Sequence, residues 1–254
     1  MSRITQKGAT GPLALQANGA FQTSTDSSLA TLVGSRWDLS DGREVILVSA
    51  SSATTVAPAY LYADAANIAA HQNMAITAIQ TYSNNGNTPY KLTVSLGATA
   101  VTANQYQGGF VIVNAGTGIG QQLRIASHPA AALSTSLVIT LEDGPSTALA
   151  TSDSKASLVT PHGKNVIINP TTATGAYTGF GLYAIAASSY GFLVTKGLTA
   201  GVLDASGGIT IGGMLSSSNA TAGCLELGVL AQGFVGNANI AGTTAEASSI
   251  FANL

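Results

Sequence analysis

The chain has 254 residues, of which 46% are apolar and 8% are charged, with a formal net charge of -2. Ordinary globular domains carry about 25% charged residues. No stretch concentrates the basic residues, which excludes a groove that follows nucleic-acid phosphates, so we predict no direct nucleic-acid partner. Ser, Thr, Asn, Gln and backbone must meet the water instead, which is typical of a subunit packed against its own copies or a larger shell.

Cysteine use and hydropathy bear on the compartment. Cys224 is the single cysteine, so no intrachain disulfide can form, and its Gly/Ala-rich surroundings predict a small buried hydrophobe. The charge-free stretch 165–195 is interrupted by Asn, Pro, Thr and Ser, so we predict no membrane span. The first 30 residues lack the continuous apolar core of an export signal. We expect the chain to fold in a reducing cytoplasm.

Residues 1–38 are predicted to form an extended N-terminal arm. Up to Gly34 the segment is rich in Gly, Thr, Ser, Gln and Asn and has neither helical nor strand periodicity. Such a composition is also typical of a floppy tail. We expect a neighbouring subunit to hold the arm.

Residues 39–170 are predicted to form a β domain. Asp41-Gly42 is a turn signal before the apolar run 44–48. One short helix is predicted at 63–72, which contains five Ala and neither Gly nor Pro. Further strands are predicted at 109–114, 121–126, 136–142, 156–160 and 164–168.

Two segments of this domain carry finer information. In 74–82 Ile79 is out of phase with the other apolar residues, which predicts a bulge. Residues 91–96 alternate cleanly between apolar and polar, as a half-buried strand does. Asn84–Asn87 between them is a turn signature.

Residues 171–254 are predicted to form a C-terminal β-rich region with only four charges. Its strands would be buried on both faces or covered by another subunit, and few Lys or Glu guard their edges, which favours oligomerisation. The spacing of strands along the chain predicts an all-β fold of sandwich or barrel type. The strands are predicted at 180–187, 190–195, 208–215 and 225–231.

The glycine-rich segment Gly116–Gly120 follows the apolar run 110–113, as the turn of a dinucleotide site follows its strand. The fingerprint would require glycine at position 121, which is Gln121, and 123–125 is typical of a strand. Without a helix the loop lacks the amide dipole that holds phosphate. We predict a wide β-turn and no cofactor.

Metal-binding spacing is absent from the sequence. His71, His128 and His162 are dozens of residues apart, unlike zinc ligands, and prolines adjoin the last two. No alternating acidic run resembles a calcium loop. We predict ordinary loop histidines and no metal site.

The charges around the first turn have a simpler interpretation. Asp38, Asp41 and Glu44 are interleaved with Arg36 and Arg43, which predicts surface ion pairs around that turn.

Catalytic patterns also fail. No Ser is framed as Gly-x-Ser-x-Gly. Paired carboxylates of the glycosidase kind could come from Glu142, Asp143 or Asp153 only through a contact that the sequence does not define. We predict no catalytic residues and no enzymatic activity.

The tyrosines could stack sugars or fill subunit interfaces, and we favour interfaces. They are Tyr60, Tyr62, Tyr82, Tyr90, Tyr106, Tyr177, Tyr183 and Tyr190.

Three stretches of the middle of the chain resemble a known class of virion protein. They are ANQYQGGF at 103–110, VNAGTGIGQ at 113–121 and RIASHPA at 124–130, and YGFLV at 190–194 with the Gly-rich run after it adds to the likeness. Together they resemble the head decoration, or cement, proteins of tailed bacteriophages. The resemblance extends over about 100–254.

The resemblance implies a structural protein that binds the outside of a phage capsid and stabilises it against the pressure of packaged DNA. Its expected partners are the major capsid protein and further copies of itself, most simply in a homotrimer. It would lie on the outer surface of the virion after assembly in the bacterial cytoplasm. The alternatives are a head fibre, tail or baseplate component, or a host-glycan-binding module.

Overall fold

The computed structural model describes residues 23–80, 90–204, 208–228 and 233–254. In the first 22 residues it describes only the backbone of three two-residue strands, β1 (Ile4–Thr5), β2 (Gln16–Ala17) and β3 (Ala20–Phe21). The described helices are two short 3₁₀ helices, Ser27–Leu32 and Ala69–His71, and the remaining elements are strands. The predicted all-β class is therefore confirmed.

The chain divides into two compact units, of which unit 1 is 1–66 with 162–254 and unit 2 is 67–161. The strands after β3, in chain order, are β4 (Arg36–Leu39), β5 (Glu44–Ser49), β6 (Leu61–Ala63), β7 (Met74–Gln80), β8 (Lys91–Ser95), β9 (Phe110–Ala115), β10 (Gln122–Ser127), β11 (Ser136–Leu141), β12 (Lys155–Val159), β13 (Ile167–Ile168), β14 (Tyr177–Gly181), β15 (Tyr190–Val202), β16 (Met214–Ser217), β17 (Leu225–Leu227), β18 (Phe234–Ala238) and β19 (Ala247–Asn253). Unit 1 contains β1 to β6 and β13 to β19, and unit 2 contains β7 to β12.

Unit 1 is organised around the 13-residue strand β15. The main path of its sheet runs β1-β4-β5-β15-β19-β18-β16-β17, and a branch through β14, β6 and β13 leaves from β15. Residues 191–195 are all buried, which confirms the two-sided burial predicted for 190–195. The branch brings Leu61 and Phe180 into one core with Leu215 and Ile250 of the main path.

The turn between β4 and β5 follows its sequence signal. The two strands pair in antiparallel fashion, so the Asp41-Gly42 turn is confirmed. Gly42 adopts φ +84°, a left-handed conformation that glycine enters without steric cost.

Unit 2 is a closed barrel in the order β10-β11-β8-β7-β12-β9. In β8 the predicted alternation is confirmed, since Leu92 and Val94 are fully buried. The bulge predicted in 74–82 is confirmed as well, because the β7–β8 register shifts between Ile76 and Ala78. This shift returns Ile79 to the inner side, where it packs against the barrel core.

The strands predicted at 109–114, 121–126, 136–142 and 156–160 are confirmed as β9 to β12. The strand predicted at 164–168 is reduced to the two residues of β13. The strands predicted at 180–187 and 208–215 overlap β14 and β16 only at residues 180–181 and 214–215. Among the strands that the sequence did not predict are β4, β6, β18 and β19. The Asn84–Asn87 turn and the end of the strand predicted at 225–231 lie outside the described residues.

The helix predicted at 63–72 is wrong. Ala63 ends β6, and only Ala69–His71 forms a single 3₁₀ turn. In so short a segment the helix propensity of the alanines does not offset the unfavourable free energy of helix nucleation. Tertiary contacts determine the conformation instead, and the His71 ring is completely buried.

The sequence-based division at 38/39 and 170/171 does not coincide with these units, since both boundaries fall inside unit 1. From residue 23 onward the predicted arm is part of unit 1: Ser24 pairs with Tyr190, and Leu29 and Trp37 belong to a buried cluster. Apart from β1 to β3, residues 1–22 of the arm lie outside the described residues.

Candidate interaction surface

One face of the unit 1 sheet carries a row of large apolar side chains. Leu198 of β15 lies opposite Phe251 of β19, Phe251 lies opposite Asn237 of β18, and Asn237 lies opposite Met214 of β16. Directly opposed residues of antiparallel strands project from the same side of a sheet. The register therefore places these four side chains in one row across four strands.

The row is on the solvent side of the sheet. The next residues along the strands, Ile250 and Leu215, are fully buried in the core. Leu198, Met214 and Phe251 are by contrast 51%, 57% and 55% exposed. Alternation along each strand produces this division, but three large apolar side chains stand where polar ones are usual.

Phe234 extends the row by one position along β18. It lies opposite Ser216, which is two residues from Met214 on β16 and so shares its side of the sheet. Phe234 is three residues from Asn237, but the β16–β18 register shifts between Leu215 and Ser216, which keeps both residues on this side. Phe234 is 44% exposed. We call the set Leu198, Met214, Phe234 and Phe251 the apolar face.

Two exposed isoleucines border the apolar face from neighbouring loops. Ile211 precedes Gly212, whose backbone N–H donates to the Ala238 carbonyl at 2.8 Å. The side-chain amide of Asn237 donates to the Gly212 carbonyl at 3.2 Å. Ile240 donates its backbone N–H to Ser249 of β19 at 3.2 Å. We call Ile211 and Ile240 the border isoleucines.

Charge on this side of the five-strand section from β15 to β17 lies at its two margins. Lys196 of β15 is opposite Asn253, and Glu226 of β17 is opposite Ser216. Between them the directly opposed residues are amide, hydroxyl or apolar. An exposed apolar area of this kind, with polar margins, is typical of a protein interaction site.

The glycine segment is a turn, as the sequence predicted. Gly116, Gly118 and Gly120 all adopt positive φ, and the backbone N–H of Gly120 donates to Val113 at 2.8 Å to close the β9–β10 hairpin. The Asp153 carboxylate accepts from the Thr117 backbone N–H and hydroxyl, both at 3.0 Å.

Two of the three histidines are buried in unit 2 rather than being ordinary loop histidines. His71 Nε2 donates to the Thr99 carbonyl (2.9 Å), and Nδ1 accepts from the Tyr106 hydroxyl (2.6 Å). His128 Nε2 accepts the Tyr106 backbone N–H (2.9 Å), so Nδ1 donates to Pro129 (2.9 Å). Every ring nitrogen of the pair has a role in holding the barrel together.

His162 is part of a cluster inside unit 1. Its Nδ1 lies 2.7 Å from Oδ2 of Asp64. The other carboxylate oxygen accepts from the Gly163 backbone N–H at 2.8 Å and from the Thr178 hydroxyl at 2.9 Å. Asp64 and His162 lie near the two points where the chain leaves and re-enters unit 1, so this cluster fastens those points together.

The ion pairs predicted around the first turn are present. Arg43 contacts Asp41 and Arg36 contacts Glu44, each at 2.7 Å. Burial opposes ionisation of Glu44, but hydrogen bonds from Arg36 and Thr195 outweigh it and lower its pKa.

Two of the three carboxylates considered for catalysis have other partners. Glu142 lies 3.3 Å from Arg124, and Asp153 holds the glycine turn. Cys224 is buried as predicted, and that burial raises the pKa of its thiol.

The described tyrosines pack mainly against this chain's own cores, and their predicted place at subunit interfaces stays a prediction. Among the described residues none of them is exposed, and Tyr82 lies outside that part of the chain. Burial raises the pKa of Tyr106 and of Tyr183 to about 12.

The described residues hold no group of three or more His, Cys, Asp or Glu that could bind a metal ion. No helix in that part of the chain is long and apolar enough to cross a membrane. Comparison of the chain with protein-family models, curated proteins and solved structures finds no match in any of the three.

Proposed function

We propose that this chain is a structural subunit of a larger protein assembly. The apolar face is the observation that carries the proposal, because half-exposed Leu, Met and Phe side chains in register across a sheet mark a protein interaction site. The low charge of the whole chain supports it, since only 8% of residues are charged. The chain lacks the charged surface that keeps most isolated domains apart.

Within that class we propose a head decoration protein of a tailed bacteriophage. The stretches at 103–110, 113–121 and 124–130 that resemble this class form the β9–β10 hairpin of unit 2 and the loops next to it. Exposed loops held by a rigid barrel are suited to contact a partner. The partners in this proposal are the major capsid protein and further copies of the chain.

Symmetry supplies the strength of binding. A symmetric oligomer of the chain engages several equivalent capsid sites at once, which raises avidity by a factor on the order of 100 or more without any new contact. Bound in this way on the outside of the capsid, the protein links neighbouring capsid subunits and resists the outward pressure of packaged DNA. No catalytic group is required for this role.

The burial of the tyrosines argues against the alternative of a host-glycan-binding module. Sugar stacking requires an aromatic ring that presents a face to the solvent. Of the seven described tyrosines three are buried, and the other four are only partly exposed because they pack against the cores of unit 1.

The test is to mix the purified chain with empty expanded heads and to measure bound protein per major capsid protein. We expect saturable binding at a fixed ratio. Deletion of residues 1–22 tests the arm, and we expect unit 1 to stay folded because its described core begins at Leu29, while head binding weakens. Absence of head binding together with signals on a glycan array would overturn the proposal in favour of a recognition module, and binding to tails alone would favour a tail component.

A further inference from the structure

We infer that the apolar face is covered by a second copy of this chain, with the two sheets packed face to face about a twofold axis that runs along β18. This inference deepens the proposed function and rests on the chain being an assembly subunit. It names the partner of one surface and the side chains that meet there.

The size of the surface fits such a pair. A fully exposed large side chain offers about 200 Å², so the exposed fractions of the apolar face and the border isoleucines correspond to roughly 650 Å² of apolar surface. A stable interface buries about 800 Å² on each partner. The polar residues between and beside the apolar side chains supply the remainder.

The apolar face lies on one side of a sheet, so the side of another sheet is a suitable partner for it. Sheets pack face to face about 10 Å apart, with apolar side chains from both layers interdigitating. Of the twelve large apolar side chains that are exposed in the described residues, seven lie between Leu198 and Phe251. The best match to this surface on the described chain is therefore the same surface on another copy.

The position of β18 makes the surface self-complementary. It is the middle strand of the five in the order β15-β19-β18-β16-β17. A twofold axis along it exchanges β19 with β16, which sets Phe251 of one copy on Met214 of the other. Methionine sulfur and aromatic rings make favourable contacts. Phe234, on the axis strand, then meets its own counterpart.

The charges at the margins match under the same rotation. The axis also exchanges β15 with β17, and Lys196 and Glu226 lie one pleat to the same side of the apolar row. Lys196 of each copy therefore approaches Glu226 of the other, so opposite charges meet at both margins. An axis across the strands would set each strand on its own counterpart, so Lys196 of one copy would not approach Glu226 of the other.

The test is the mass of the full chain in solution, measured by sedimentation over a range of concentrations. We expect the unmodified chain to self-associate and Phe251→Lys to weaken that association by at least about 30-fold, as loss of a central interface side chain does. Leu133→Lys is the matched control, because Leu133 is 58% exposed but lies in unit 2. We expect it to change the association less than about threefold.

A double-variant cycle tests the orientation of the pair. Lys196 also lies opposite Glu44 of its own chain, so neutral replacements are used. Lys196→Ala and Glu226→Ala should each weaken association, and the double variant should weaken it no further than either single variant does. A third measurement does not depend on weakened binding. Asn237→Cys lies on the axis strand and the two sheets pack about 10 Å apart, so a bismaleimide cross-linker of about that span should link two copies, whereas it should not link Leu133→Cys. Cys224 is buried and does not compete.

A lone protomer at all concentrations would overturn the inference, as would equal effects of Phe251→Lys and Leu133→Lys or failure of Asn237→Cys to cross-link. These outcomes are separable from the proposed function. A chain that pairs through this face but ignores phage heads disproves the decoration role alone. A chain that binds heads as a single protomer disproves the pairing alone.

Discussion

The hydroxyl of Tyr106 offers a sharp test of how the unit 2 barrel is held together. The ring is 1% exposed, and its hydroxyl donates to Nδ1 of His71, which is itself fully buried. Tyr106→Phe keeps the ring and leaves Nδ1 as a buried acceptor without a donor. Such a group costs about 1–3 kcal/mol of unfolding free energy, and no cavity adds to it because the ring volume is retained.

The assay is urea unfolding followed by far-ultraviolet circular dichroism. With a denaturant dependence of about 2 kcal/mol per molar, the loss corresponds to a midpoint lowered by roughly 1 M urea. The single tryptophan, Trp37, lies in unit 1, so its fluorescence separately reports that unit. Tyr90→Phe is the matched control, because Tyr90 is buried in the same barrel but none of its described hydrogen bonds involves the hydroxyl. We expect the control to change stability by less than about 0.5 kcal/mol. Equal midpoints for the two variants would refute the stabilising role of the contact with His71.

Three further results are expected. Gly116→Ala should lower the unfolding free energy of the barrel by roughly 2 kcal/mol or more, about twice the loss from Gly120→Ala. Both glycines have positive φ, but a Cβ at Gly116 would lie 2.2 Å from a backbone oxygen, whereas a Cβ at Gly120 would meet nothing. Urea unfolding of the two variants measures the difference, and equal losses would contradict it. The pKa values of Tyr106 and Tyr183 are raised to about 12 from an ordinary 10, so their contribution to stability is complete below pH 10 and disappears as the pH rises towards 12. Alkaline titration at 295 nm of the unmodified chain and of Tyr183→Phe isolates one of these groups, since the difference between the two curves should appear only together with unfolding, and a difference near pH 10 in the folded protein would count against burial of Tyr183. Asp64→Asn removes a carboxylate that accepts three hydrogen bonds, so the melting temperature of unit 1 should fall by about 4–8 °C, and an unchanged melting temperature would disprove its fastening role.

The sequence correctly predicts the buried face of a strand where the apolar pattern within that strand is sufficient to define it. In 91–96 the alternation alone gives the correct face, and the phase error at Ile79 correctly locates a bulge. It fails where packing overrides local preference. The alanines of 63–72 favour a helix. At one end of this segment, however, Ala63 pairs with Tyr177 of β14, and at the other end His71 is buried in unit 2.

The apolar face could not be predicted for a different reason. Leu198, Met214 and Phe251 are far apart in the chain and become neighbours only through the order β15-β19-β18-β16. Part of that order depends on β18, which the sequence does not indicate as a strand because Gly236 and Asn237 are residue types that are depleted in strands. Because residues 171–254 carry few charges, the sequence did predict that another subunit contacts this region. It did not predict which side chains make the contact.

The same difficulty applies to the units. A chain that leaves one compact unit at residue 66 and returns at 162 has no composition change at either point. The sequence instead shows its clearest shift after Pro170, inside unit 1. Contact between Asp64 and His162 is visible only once the fold has brought them within 2.7 Å.

The contact between Asp64 and His162 holds together the two points where the chain leaves unit 1 and returns to it. All strands of the unit 1 sheet belong to unit 1, so its strand order requires only that the segment between these points has neighbouring ends. We therefore expect that residues 67–161 can be replaced by another segment, in evolution or by design, without a change in the strand order of unit 1.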